Sequence, residues 1–191
     1  MRVVNIDLDG CVYPDLDDIL RQYIAEDESD LRTGLSLPRA TTWEFWKDWG
    51  MSKGEWNALF RRGVEVGYIF RKGQPVRGAV DALWRMSDDG WFVRIVTHRL
   101  AHARNHRIVQ ESTAAWLDEY NIPYRSIAYV GNGEFKQDYS CQLAVDDKLN
   151  NLAGMQTGQA LLFDRPHNRG VDFRYGNIKR VHSWKDVLDY A

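Results

Sequence analysis

Five short apolar runs recur along the chain, each ending at a turn signal or a polar residue: RVVNID at 2–7, WFVRIVT at 91–97, SIAYVG at 126–131, QLAVD at 142–146 and ALLFD at 160–164. Runs this short, rich in Val, Ile and Leu, are expected to be strands covered on both faces. Helical patterns separate several of them. In PVRGAVDALWRMSDDG, Pro75 suits a first helical turn, Val76, Val80, Leu83 and Trp84 fall at helical spacing, and Gly90 lies past the end. Residues 101–120 repeat the pattern with Ile108, Ala115, Trp116 and Tyr120. A strand, helix, strand rhythm requires parallel crossovers, because parallel neighbours need a connection of about a dozen residues or more.

The expected fold is therefore α/β, a three-layer α/β/α arrangement around a Rossmann-like parallel sheet, closed by a C-terminal helix over SWKDVLDYA with Ser183 as its cap. Between the first strand and the helix near 75 the character changes. Leu16, Ile19, Leu20, Tyr23 and Ile24 form one amphipathic helix, an acidic loop follows, and Thr41-x-x-Glu44 and Ser52-x-x-Glu55 are capping-box patterns, each opening a short helix. We read residues 15–71 as a small helical cap inserted after strand 1, standing over the carboxyl ends of the strands, with 1–14 and 72–191 as the core.

Composition excludes several classes. No apolar stretch approaches the ~20 residues of a membrane span, and the N-terminus turns acidic too early for a signal peptide, so a cytoplasmic protein is expected. Two cysteines, Cys11 and Cys141, are too few for a disulfide framework and lack metal-ligand spacing. A formal charge of −2 gives no reason to expect a protein that coats nucleic acid.

The chemistry concentrates at strand ends. Asp7 closes the first strand and Asp9 follows it, Thr97 ends the second, and Asp146 and Asp147 end the fourth. In a doubly wound sheet those ends form the ligand crevice. Carboxylates gathered there repel one another unless a cation lies between them, and a hard, oxygen-seeking ion such as Mg²⁺ reconciles them. Lys136, ten residues before Asp146, can add a second positive charge, with Lys148 as its competitor. A hydroxyl, an ammonium and a divalent ion together suit a phosphoryl group.

DLDGCVYP resembles the first motif (DxDGxx) of the haloacid dehalogenase-like phosphohydrolase superfamily, IVTH its second, Lys136 its third and AVDD its fourth, in order over 7–147. A lysine ten residues ahead of a DD pair and an early helical cap look most like the 5′(3′)-deoxyribonucleotidase, or type C 5′-nucleotidase, branch, although His-Arg-Leu follows Thr97 where that branch tends toward Ser-Pro. The resemblance implies a Mg²⁺-dependent phosphomonoesterase acting on a small phosphorylated substrate, a nucleoside monophosphate. Asp7 would be the nucleophile and Asp9 the general acid and base. Asp7, the backbone carbonyl of Asp9 and Asp146 would hold the metal, Asp147 would orient the shell, and Thr97 and Lys136 would bind the phosphoryl oxygens. The alternatives are a phosphatase of polynucleotide ends and a non-catalytic binder of phosphorylated ligands.

Three further features invite two readings each. Trp43, Phe45, Trp46 and Trp49 lie in the insertion; Trp43 and Trp46 could stack on a base, while packing of a small cap around large side chains is the favoured reading. His98, His102 and His106, at i, i+4 and i+8, would share one helix face, without a further ligand to make a zinc site. Arg99, Arg104 and Arg107 could meet phosphate or nucleic acid, with a solvated face preferred.

Overall fold

The computed structural model describes residues 1–27, 32, 34–131, 133–155, 158–172 and 176–191. Six strands form one sheet: β1 (Arg2–Ile6), β2 (Trp91–Thr97), β3 (Ser126–Tyr129), β4 (Leu143–Asp146), β5 (Gln159–Phe163) and β6 (Ile178–Val181). Every pairing is parallel, and the order is β3-β2-β1-β4-β5-β6. The expected strands are thus present within a residue or two at their ends. The sixth, IKRV, falls outside the five expected ones; only Ile178 and Val181 are buried in it, so its apolar signal is half that of the others.

The chain winds outward from β1 through β2 to β3, then returns to place β4 on the other side of β1. The switch point lies between β1 and β4. Ile6 pairs with Ile95 and with Val145, and the Asp7 N–H donates to the Val145 carbonyl at 2.9 Å. This register brings the residues that follow, Asp7 and Asp146, out beside each other at the sheet's carboxyl edge.

Helices α3 (Ala79–Asp88), α4 (His106–Glu119) and α6 (Trp184–Leu188) pack with α1 (Leu16–Glu26) and α2 (Lys53–Glu65) around one continuous apolar core that includes Ile6, Leu83, Trp116, Leu161 and Trp184. A smaller cluster under the short α5 (Leu149–Leu152) holds Val3, Ala144, Leu152, Ala160 and Leu162 on the other side of the sheet. Burying such side chains contributes about 1.5–3 kcal/mol each. The larger core runs without a break into residues 15–71, through Ile19, Leu20, Phe45, Trp49, Leu59 and Phe60.

Local signals held in part. The Ser52 capping box is formed, with the Ser52 side chain accepting from the Glu55 N–H and Glu55 accepting from the Ser52 N–H. Ser183 caps α6 in the same manner, accepting from Asp186 N–H. Thr41 caps nothing: Glu44 pairs with Lys47 instead, and only a short 3₁₀ turn, Phe45–Lys47, follows. Pro75 lies four residues ahead of α3, where the Val76 N–H donates to Val12 across the core. The histidine stripe does not form. Arg99–His102 is a separate 3₁₀ turn, Ala103 is extended, and His106 opens α4, so the three do not share a helical face; the side chain of His102 lies outside the described residues. No helix among the described residues is long and apolar enough to cross a membrane.

Candidate active site

The loop after β1 folds back tightly on itself. The Leu8 carbonyl accepts from the N–H groups of Cys11, Val12 and Tyr13, and Gly10 turns the chain at φ +82°. A Cβ on Gly10 would lie 2.3 Å from Asp147 Oδ2, so only glycine lets this loop close over the end of β4. The Trp184 indole N–H donates to the Cys11 carbonyl at 2.8 Å, bracing the loop from α6. Arg165 donates to the Gly10 carbonyl and approaches Asp15 at 3.5 Å.

Asp7, Lys136, Asp146 and Asp147 are all buried. The Lys136 ammonium lies 2.7 Å from Asp7 Oδ1 and 2.8 Å from Asp146 Oδ2, bridging the ends of β1 and β4. Burial opposes the charge on Lys136, but Asp146 and Asp7 outweigh it and raise its pKa. Burial raises the Asp7 carboxyl well above its ordinary value; Lys136 counters this, and Asp146 and Asp147 add to it. Asp147 is raised for the same first reason, with Asp146 next. Three buried carboxylates around one buried ammonium leave a formal excess of two negative charges at the switch point. Lys148, the competitor for this place, lies instead beside the Trp43 ring.

The two adjacent aspartates differ in a way their order in the sequence does not reveal. Asp146 Oδ1 accepts from the Lys148 N–H and Asn151, and Oδ2 from Lys136 and Asn151. Both its oxygens are occupied. Asp147 Oδ2 has His167 Nε2 at 3.0 Å, outside hydrogen-bond geometry, and its carboxylate comes within 4.8 Å of Asp7 and of the Cys11 sulfur. The expectation made Asp146 a metal ligand and Asp147 its support; in the structure both Asp146 oxygens already accept hydrogen bonds from protein groups. Burial and the same carboxylates push the Cys11 thiol up, which keeps it a protonated, packed thiol.

Thr97 is fully buried at the end of β2, its Oγ1 accepting from the Arg99 N–H at 3.3 Å. Asp9 does not point at Lys136. Its carboxylate is gripped by Arg99, with Nη2 to Oδ1 at 2.8 Å and Nε to Oδ1 and Oδ2 at 3.2 and 3.1 Å. Arg99 is the residue that sequence reasoning misjudged: it is buried, not part of a solvated face. Arg104 and Arg107 are both exposed, and Arg107 is bonded to Glu111. Among the aromatics, Trp46 stacks on Trp56 at 4.9 Å beside Phe45, as packing requires. Trp43 is 44% exposed, and its ring lies 4.1 Å from that of His167.

Hard oxygen donors, an excess of two negative charges and a glycine at the point of closest approach suit a small divalent cation. A phosphoryl group would meet Lys136 and the ends of β1 and β2 in the same crevice.

Known proteins resemble this chain in fold and in sequence. A solved HAD-superfamily hydrolase, subfamily IA, variant 1 from Geobacter sulfurreducens superposes with a TM-score of 0.58 at 14% identity, covering 99% of this chain and 98% of that one, which shows a shared fold. A Chlorobaculum tepidum protein provisionally named 5′(3′)-deoxyribonucleotidase is 29% identical over 191 residues, 98% of this chain and 88% of the relative. The 5′(3′)-deoxyribonucleotidase of Bacillus subtilis is 31% identical over 87 residues, 44% of this chain and 46% of its own. The profile of the 5′ nucleotidase, deoxy (pyrimidine), cytosolic type C proteins matches residues 1–191, and with the carboxylates, the lysine and the switch point all in place, the chain belongs to that family.

Proposed function

We propose that this nucleotidase-family phosphohydrolase cleaves the phosphomonoester of a (deoxy)nucleoside monophosphate through an aspartyl-phosphate on Asp7, with Mg²⁺ as cofactor. The observation that carries the reading is the buried carboxylate cluster: Asp7, Asp146 and Asp147 are all buried at the ends of β1 and β4, and Lys136 bridges the first two. Asp7, Asp147 and the backbone carbonyl of Asp9 would hold the ion, with Asp146 kept to orient Lys136. When bound, Mg²⁺ supplies charge neutralisation to the phosphoryl oxygens.

The protein's own groups then have defined tasks. An Asp7 oxygen attacks phosphorus; the ester P–O bond breaks, and its electron pair leaves on the nucleoside oxygen, which takes the proton of the Asp9 carboxyl. In the second step water attacks the acyl phosphate and gives a proton to the Asp9 carboxylate. The Asp7 O–P bond breaks, releasing inorganic phosphate and restoring both side chains. Lys136 and Thr97 bind the phosphoryl oxygens.

Residues 15–71 act as the cap that admits the leaving group. Trp43, 44% exposed, serves as the platform for the base, worth about 1–3 kcal/mol by stacking, while Trp46 is committed to packing.

The test is turnover of deoxy- and ribonucleoside monophosphates, sugar phosphates and 3′-phosphorylated oligonucleotides, with and without EDTA, by the wild type and by Asp7→Asn. Hydrolysis of mononucleotides that EDTA and Asp7→Asn both abolish is expected. Wild-type activity in Asp7→Asn would end the covalent route, and faster cleavage of oligonucleotides would favour polynucleotide ends.

A further inference from the structure

Arg99 has an environment unusual for an arginine. It is 3% exposed. Its guanidinium lies between two aromatic rings, 4.5 Å from the centroid of Tyr13 and 4.4 Å from that of Phe70, and Nη1 donates to Thr113 Oγ1 of α4 at 3.0 Å. Three other segments therefore hold one side chain: the loop after β1, the stretch around Phe70, and α4.

The clamp is itself fixed. The Phe70 N–H donates to the Tyr13 hydroxyl at 3.1 Å, and Phe70 sits at φ +71°, a left-handed conformation that a bulky side chain adopts only where its surroundings impose it. Tyr13 in turn packs edge-on against Trp116 at 4.9 Å. A cation held between aromatic faces gains from both quadrupoles and cannot swing away. The remaining edge of the guanidinium is aimed at Asp9.

We propose that Arg99 is a positioning residue whose clamped guanidinium fixes the orientation of the Asp9 carboxyl for proton transfer to and from the leaving group; the proposal rests on the reading of Asp9 as general acid and base. The contacts are unequal. Asp9 Oδ1 receives Nη2 at 2.8 Å and Nε at 3.2 Å, whereas Oδ2 receives only Nε at 3.1 Å. Oδ2 is therefore the oxygen left to carry the transferable proton. Proton transfer demands a heavy-atom approach of about 2.6–3.2 Å, and a carboxyl free to rotate meets that requirement only part of the time. Lysine cannot replace the fork, because an ammonium is a point charge without the planar pair of donors.

Substrates differ in how much they need the proton. A nucleoside oxygen is a poor leaving group and needs protonation as the ester bond breaks; p-nitrophenolate leaves without it. The quantity to compare is kcat/KM, which reports the step in which the leaving group departs, for a deoxynucleoside monophosphate and for p-nitrophenyl phosphate, in the wild type, Arg99→Lys and Arg99→Met. General acid catalysis contributes about 10²–10⁴-fold, so a loss of about 10–100-fold is expected on the nucleotide and about 3-fold or less on the aryl phosphate. Equal losses on both substrates, or no loss on the nucleotide, would overturn the proposal.

Because Arg99→Met can weaken the core, Thr113→Val serves as the milder variant: it removes one anchor of Arg99, leaves the ion pair, and should show the same bias toward the nucleotide in smaller measure. Asp9→Asn is the control for the underlying reading. If that variant loses equally on both substrates, Asp9 is not the acid and the reading itself fails. If it shows the bias and neither Arg99 variant nor Thr113→Val does, only the role of Arg99 fails.

Discussion

Replacing Lys136 by methionine tests the electrostatic account of the site most directly. The side chain volumes are similar, so the change removes charge and leaves packing largely intact. At 2.7 Å from Asp7 and 2.8 Å from Asp146, each attraction is about 6 kcal/mol at an effective dielectric of about 20. The desolvation of three buried ions offsets much of this, and removing one member of a buried pair costs about 3–5 kcal/mol in practice. For a chain of this size about 2–4 °C of melting temperature accompanies each kcal/mol, so Lys136→Met should melt about 6–20 °C below wild type in EDTA at pH 8. The sign with pH follows from Asp7. Its carboxyl is raised in the folded state by burial, so its contribution is most favourable below the ordinary carboxylate value and is lost as pH rises toward the raised one. The deficit of the variant should therefore shrink as the pH is lowered toward 5. Thermal melts followed by circular dichroism at both pH values measure it. A variant that melts within about 2 °C of wild type at pH 8 would refute the claim that this ammonium holds the carboxylates together.

Adding Mg²⁺ to the EDTA-treated protein should raise its melting temperature, by about 5–11 °C at 100 times the dissociation constant, from about 2.7 kcal/mol of linkage; the shift should be larger at pH 8 than at pH 5, because protons compete for the raised Asp7 and Asp147 carboxyls, and Asp147→Asn should abolish most of it. A Gly10→Ala variant should lose about 1–2 kcal/mol from its positive φ and most of its turnover from the displaced Asp147 carboxylate, and normal kcat and stability together would contradict the close approach. Trp184→Phe leaves the buried Cys11 carbonyl without its donor and should cost about 1–3 kcal/mol in denaturant titration.

The strands and the places of the polar residues at their ends were legible because both depend on short segments. An apolar β-branched run followed by a carboxylate reports its own structure, and the strand-to-helix rhythm then places Asp7, Thr97 and Asp146 on one edge. Lys136 needed its spacing to the DD pair. What the sequence hid depends on contacts between distant residues. Arg99 looks like any surface arginine until Tyr13 and Phe70, 57 residues apart, close on its two faces. Asp146 and Asp147 are indistinguishable as letters; only the donors Lys136, Lys148 and Asn151 show which carboxylate is already occupied. Thr41-x-x-Glu44 satisfied a local rule, but Glu44 had Lys47 within reach. Histidines four apart require an unbroken helix, and the backbone at Ala103 is extended instead.

The brace between Trp184 and Cys11 spans 173 positions. The indole is synthesised 173 positions after the loop it braces, so a nascent chain carries Asp7 and its loop long before that support exists. A fragment that stops short of Trp184 should therefore carry the DLDG motif on a loop that lacks its brace.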